Sequence, residues 1–148
     1  MLIDNPNTYY AKLVSGAYAG QGSETTAIVQ YMSHRYFLEN YDDVDITYQY
    51  IAFTEVIHQN LLGRLIFLLG LNPLQISYEI NEFWSGSFPD YQYSLKQILE
   101  TDIQGEFNAI AHYERLIDSI DDNNIQLLFQ RIIMDEQRHL GVLHSFVC

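Results

Sequence analysis

Four glutamate-centred segments hold the residues of this sequence that could do chemistry together. Residues 24–31 read ETTAIVQY and residues 106–113 read EFNAIAHY, so both follow E-x-x-A-I-x-x-Y. Residues 55–58 (EVIH) and 136–139 (EQRH) are both E-x-x-H. On an α-helix, residues i and i+3 share a face, about 60° apart and about 4.5 Å along the axis, so a Glu and a His so spaced can converge on one ion. Two such helices, with one glutamate from each of two others, supply four carboxylates and two imidazoles. That set suits two divalent cations, whose charge balances the carboxylates and removes the cost of burying them unpaired. Two bridging glutamates would hold the ions about 3.5–4 Å apart. The candidate metal-ligating residues are Glu24, Glu55, His58, Glu106, Glu136 and His139.

A single E-x-x-H means little, since about 0.3 would arise here by chance from this glutamate and histidine content. The pairing carries the weight. Glu24 precedes Glu55 by 31 residues and Glu106 precedes Glu136 by 30, so the second half of the chain repeats the first and predicts a pseudo-twofold axis.

Tyr31 and Tyr113 each follow a motif glutamate by seven residues, two turns on along the same face. A buried tyrosine needs a hydrogen-bond partner, and a bridging glutamate could be one. Tyr31 is the candidate catalytic residue; for Tyr113 an ordinary core role weighs as much. Asp135, just before Glu136, could hold the free ring nitrogen of His58, as metal-bound histidines usually require, and Thr54 is its counterpart before Glu55. His34, His112 and His144 lack the E-x-x-H context and read as surface or packing residues. Glu114 falls about 80° off the face of Glu106 and reads as a solvated charge, and Glu79 and Glu82 read as loop residues. There is no glycine-rich phosphate loop and no nucleophile motif.

Positioning these residues requires four long helices. The first runs through Glu24 to about Glu39 and could begin as early as Thr8. Gly16, Gly20 and Gly22 each cost about 1 kcal/mol inside a helix. Either Ser23 caps a late start, or the glycines are tolerated where another backbone packs closely. The second helix begins at Asp43 or Asp45 and runs to Leu69, ended by Gly70 with Pro73 beyond. Its apolar stripe is Ile51, Val56, Ile57, Leu61, Leu62, Leu65, Ile66 and Leu69. Residues 71–92, with two prolines and a glycine, form a long crossover that Trp84, Tyr91 and Tyr93 pin to the bundle. A third helix spans about 94 to 120, and a DDNN turn caps a fourth that runs nearly to the end. The expected fold is all-α: two helix pairs joined by one crossover, a single domain over residues 1–148.

Composition bounds the rest. At 148 residues the chain can bury a substantial core. No apolar run is long enough to span a bilayer. The start lacks the regions of a signal peptide, so the expected location is cytoplasmic. One cysteine, Cys148, excludes a disulfide framework. A net charge of −12 with seven unclustered Lys and Arg argues against nucleic acid.

These motifs resemble the ferritin-like superfamily of di-metal carboxylate proteins, in particular its rubrerythrin and bacterioferritin branch, over nearly the whole chain. The resemblance implies a four-helix bundle with the six residues above as ligands, and Glu55 and Glu136 as bridges. It also matches Tyr31 to a ferritin tyrosine. Where rubrerythrins carry a second carboxylate this chain has Ala109, and its single cysteine excludes a rubredoxin domain. Where bacterioferritins carry the haem methionine it has Val56, so no haem is expected. Only nine residues follow His139, too few for the fifth helix of a 24-subunit shell, so a homodimer is the default. The expected function is a di-iron oxidoreductase of ferroxidase or peroxidase type, oxidising Fe(II) with O₂ or hydrogen peroxide in iron handling or oxidative stress, with an electron donor still to be identified. The alternatives are non-enzymatic iron storage and, because oxygen and nitrogen ligands suit manganese equally, a dimanganese catalase.

Overall fold

The computed structural model describes residues 3–147. Among these residues are five helices, α1 (Thr8–Ala19), α2 (Glu24–Arg35), α3 (Asp42–Leu68), α4 (Leu95–Ser119) and α5 (Asn123–Ser145), of which α2 to α5 carry the candidate site. Between α3 and α4 lies a short antiparallel hairpin, β1 (Ile76–Ser77) paired with β2 (Glu82–Phe83). No helix among the described residues is long and apolar enough to cross a membrane.

The expected first helix is two helices, and both alternatives for its start hold in part. α1 begins at Thr8, capped by Asn7, and stops at Gly20. A side chain on Gly20 would strike the Gly16 carbonyl oxygen at 2.6 Å, which explains the glycine. Ser23 then caps α2 by accepting from the Thr26 amide. α2 stops at Arg35 rather than Glu39, and residues 36–38 tighten into i→i+3 turns. Together α1 and α2 line α3: α2 meets its first half and α1 its second.

Inside α3 the expected apolar stripe needs correcting. Ile51, Leu62, Leu65 and Ile66 face inward with Tyr48 and Ala52, but Val56, Ile57 and Leu61 face out. Placing Glu55 and His58 inward puts Val56 and Ile57 on the opposite face, because adjacent residues on a helix diverge by about 100°. The Asp42, Asp43 and Asp45 carboxylates complement the positive end of the α3 dipole. The helix ends where expected, with Gly70 at φ +107°.

Ser94 caps α4 and Asp122 caps α5, each by accepting a backbone amide. Residues 71–92 form a crossover that contains the hairpin, with Asn81 at φ 53° in its turn. Glu82 therefore lies in a strand rather than a loop. Trp84 pins the segment by donating its indole N–H to Thr26 Oγ1 at 2.9 Å. Tyr93 packs edge-on against Phe37, whereas Tyr91 donates to the Gly86 carbonyl within the crossover itself.

Two apolar clusters result. One joins α1 and the second half of α3 to Tyr113, Leu116, Ile125 and Phe129. The other joins Tyr31 and Leu38 to Tyr48, Ile51, Ile98, Leu99 and Leu143. The four motifs fall between them, as a buried polar layer between two apolar ones.

Candidate metal centre

Each of the four helices α2 to α5 delivers one motif to this layer. Glu24, Glu55, His58, Glu106, Glu136 and His139 are all buried. They form two groups of potential ligand atoms: Glu24, Glu55, His58 and Glu136, and Glu55, Glu106, Glu136 and His139. Within each group the atoms lie within 4.8 Å of one another. Glu55 and Glu136 belong to both.

Both histidines turn Nδ1 inward. His58 Nδ1 lies 3.3 Å from Glu136 Oε1 and 3.6 Å from Glu24 Oε1. His139 Nδ1 lies 3.2 Å from Glu55 Oε1 and 3.5 Å from Glu106 Oε1. Among the described residues, six buried side-chain atoms have no hydrogen-bond partner, one from each of these residues: Glu24 Oε2, Glu55 Oε1, His58 Nδ1, Glu106 Oε2, Glu136 Oε1 and His139 Nδ1. Each such atom costs about 1–3 kcal/mol, more if charged, and cations filling the space between the six would remove that cost. The donor set fits a pair of metal ions.

The two tyrosines act crosswise. Tyr31 of α2 donates to Glu106 Oε1 of α4, and Tyr113 of α4 donates to Glu24 Oε1 of α2. The expectation of a shared glutamate as partner is corrected: both tyrosines hold the glutamates that belong to one group only. Each of these glutamates thus has one oxygen occupied by a phenol and the other, Oε2, free to face inward. Asp135 takes its expected place, accepting from His58 Nε2–H at 2.9 Å. Thr54 does not match it: its exposed hydroxyl donates back to the Tyr50 carbonyl at 3.1 Å.

The sequence reading missed a second buried polar group beside this layer. Asp102 accepts from Gln30 Nε2, Tyr48 OH and His34 Nδ1, all at 2.7 Å. His34 is therefore a buried packing residue, not a surface one, whereas His144 is exposed and His112 half-buried. The signal was available: Asp102 stands four residues before Glu106 and Tyr48 seven before Glu55, on the faces that point inward. Glu114 is exposed, as expected.

A cavity of about 580 Å³ opens between α2 and α4 and reaches the polar layer. Ala27, Gly105 and Ala109 line it without obstructing it, and Glu24, Glu106 and Tyr31 form part of its wall.

Without metal, the layer stores protons. Burial alone would lower the His58 pKa, but Glu136 and Glu24 outweigh it and push it up to about 11. His139 rises to about 9 against the same burial effect, through Glu106 and Glu136. Burial, reinforced by Glu136, pushes Glu106 up to about 8, and burial with Glu136 and Glu24 holds Glu55 well above the carboxylate range. Burial opposes ionisation of Glu136 too, but His139 and His58 hold it below that range. At pH 7, His58, His139 and Glu106 carry protons that metal must displace. Loading with two ions should therefore release about three protons per chain from these groups, with any proton on Glu55 added to them, and affinity should rise steeply from pH 6 to pH 8. Calorimetry in two buffers of different ionisation enthalpy measures this count; release near zero would contradict it.

The sequence matches no protein-family model, and no curated protein matches it significantly. Solved structures do match. KatB, a manganese catalase from Anabaena, superposes with a TM-score of 0.91 at 21% identity, over 97% of this chain and 73% of its own. A Rhodobacter capsulatus bacterioferritin, described with a metal-free dinuclear site and haem iron, gives 0.79 at 20% identity, over 95% and 84%. The Desulfovibrio desulfuricans bacterioferritin, described with a diiron site, gives 0.77 at 25% identity, over 93% and 77%. The chain has the ferritin-like four-helix-bundle fold.

Proposed function

We propose that this chain binds two iron ions in the polar layer and oxidises Fe(II) with hydrogen peroxide or O₂. The observation that carries the reading is the sharing of Glu55 and Glu136 between two otherwise separate groups of ligand atoms, each completed by its own histidine and glutamate. In this reading Glu24, Glu55, His58 and Glu136 hold one ion, Glu55, Glu106, Glu136 and His139 hold the other, and no haem is bound. A bound pair would supply the two electrons that reduce peroxide to water.

The chain's own residues do the rest. The apolar clusters on either side bury the ligand residues, and charges so buried interact more strongly than in water. The Tyr31 phenol, its pKa raised by burial and by Glu106, keeps its proton and fixes one oxygen of Glu106. Tyr31 is thus a positioning residue, and Tyr113 is its counterpart on Glu24. Asp135 orients His58. The cavity between α2 and α4 gives a small oxidant a path to the glutamates.

A dimanganese catalase is the second reading, favoured by the superposition on a manganese catalase at a TM-score of 0.91. We also place this protein in the cytoplasm, as a homodimer. On α3, Ile46, Tyr50, Phe53 and Ile57 form an exposed apolar stripe at three- and four-residue steps, and a second copy laid antiparallel would bring Arg64 toward its acidic first turn.

An anaerobic Fe(II) titration of metal-free protein, each point oxidised with limiting peroxide and read in the near ultraviolet, separates the readings. The di-iron reading predicts a break at two irons per chain. Lack of any break, with O₂ release from peroxide by manganese-loaded protein, would replace it with the catalase. Uptake far beyond two irons, with a shell-sized particle on gel filtration, would replace it with storage.

A further inference from the structure

We propose that the two metal positions are unequal by construction: the ion beside His58 is resident, and the ion beside His139 is weakly held and exchanges with solution. The proposal rests on the two-ion reading above and concerns what the chain builds behind its ligands.

The internal repeat relates Glu24, Glu55 and His58 to Glu106, Glu136 and His139, and Tyr31 to Tyr113. Every one of these residues obeys the symmetry. One layer further out, the symmetry fails. Behind His58 stands Asp135, whose Oδ2 accepts from Nε2–H at 2.9 Å. The other oxygen of Asp135 accepts from Arg131 at 2.5 Å and Arg138 at 2.7 Å, one turn to either side on α5. These two arginines hold the Asp135 carboxylate in place against His58.

Behind His139 nothing comparable stands among the described residues. Thr54 takes the position of Asp135 and bonds its own helix instead. The positions of Arg131 and Arg138 are taken by Tyr50 and Ile57, which are exposed and uncharged. Among the described residues no side chain holds Nε2 of His139, and His139 is 8% exposed against 1% for His58.

The consequence is physical. A ring N–H donated to a fixed carboxylate locks the tautomer with its lone pair on Nδ1, holds the ring in one orientation and raises its basicity. His139 must select tautomer and orientation when the ion arrives. Removing such a partner typically costs about 10–100-fold in metal affinity, so the two positions should differ by about that factor. An exchangeable position suits a protein whose metal is also its substrate, since an oxidised ion can leave the His139 position while the His58 position stays filled. A catalase needs both ions to stay.

Titration of metal-free protein with Mn(II), followed by electron paramagnetic resonance and calorimetry, tests this. At one equivalent the spectrum should be the six lines of an isolated bound ion; at two it should give way to the broader spectrum of a coupled pair. The two dissociation constants should differ by about 10–100-fold. His139→Ala should keep the tight step and lose the weak one, and His58→Ala should do the reverse. Asp135→Ala should weaken the tight step. Thr54→Asp, at a half-buried position, should strengthen the weak one. Circular dichroism confirms that each variant is helical. Equal constants, or a coupled spectrum from the first addition, would overturn the proposal while leaving the two-ion reading intact. Fewer than two bound ions would overturn both.

Discussion

Glu55→Gln is expected to end two-ion binding and, without metal, to make the protein more stable. Glu55 is shared by both groups of ligand atoms, and its burial beside Glu136 and Glu24 holds its pKa well above the carboxylate range. In the unfolded chain it ionises near pH 4.3. Above that pH folding must therefore return a proton to it, and the cost grows with pH until the folded pKa is reached. Glutamine keeps the shape and removes the titration. The metal-free variant should thus be more stable than metal-free wild type at pH 7 and should lose that advantage at pH 4. Activity should fall by at least about a hundredfold, the upper end of what losing a mere supporting partner costs. Urea unfolding at both pH values, with metal analysis, checks this. A variant less stable at pH 7 that still holds two ions would refute the assigned role.

Chelation should have an equally large effect in the opposite direction. An ion present at a thousand times its dissociation constant stabilises a folded protein by about 4 kcal/mol, so two contribute about 8 kcal/mol. For a chain of this size each kcal/mol moves the melting temperature by about 2–4 °C, which predicts a rise of about 16–32 °C on loading. The structure accounts for the size of the effect: α2, α3, α4 and α5 meet in one layer whose six unpartnered atoms gain their missing contacts only from the ions. Thermal unfolding before and after chelation measures the shift. A change of under about 5 °C would mean that the layer is satisfied without metal.

The six central residues were legible because their signal is local and repeated. A Glu and a His three apart need only a helix to converge, and the second half of the chain states the pattern again. Helix ends at Ser23, Gly70, Ser94 and Asp122 were legible for the same reason, since capping depends on a few adjacent residues. The break between α1 and α2 was not, because a glycine costs only about 1 kcal/mol in a helix and tertiary packing can override it. The α3 stripe misled where apolar residues face outward: Val56, Ile57 and Leu61 are as apolar as their buried neighbours. The crosswise tyrosines and the Asp102 cluster join residues 54 to 89 positions apart, and no local spacing announces such pairs.

Anomalous diffraction from crystals of manganese-loaded protein tests the central claim most directly. Two peaks about 3.5–4 Å apart are expected, one against Glu24 and His58 and the other against Glu106 and His139, with Glu55 and Glu136 between them. A single peak, or peaks lying outside this layer, would contradict the dinuclear account.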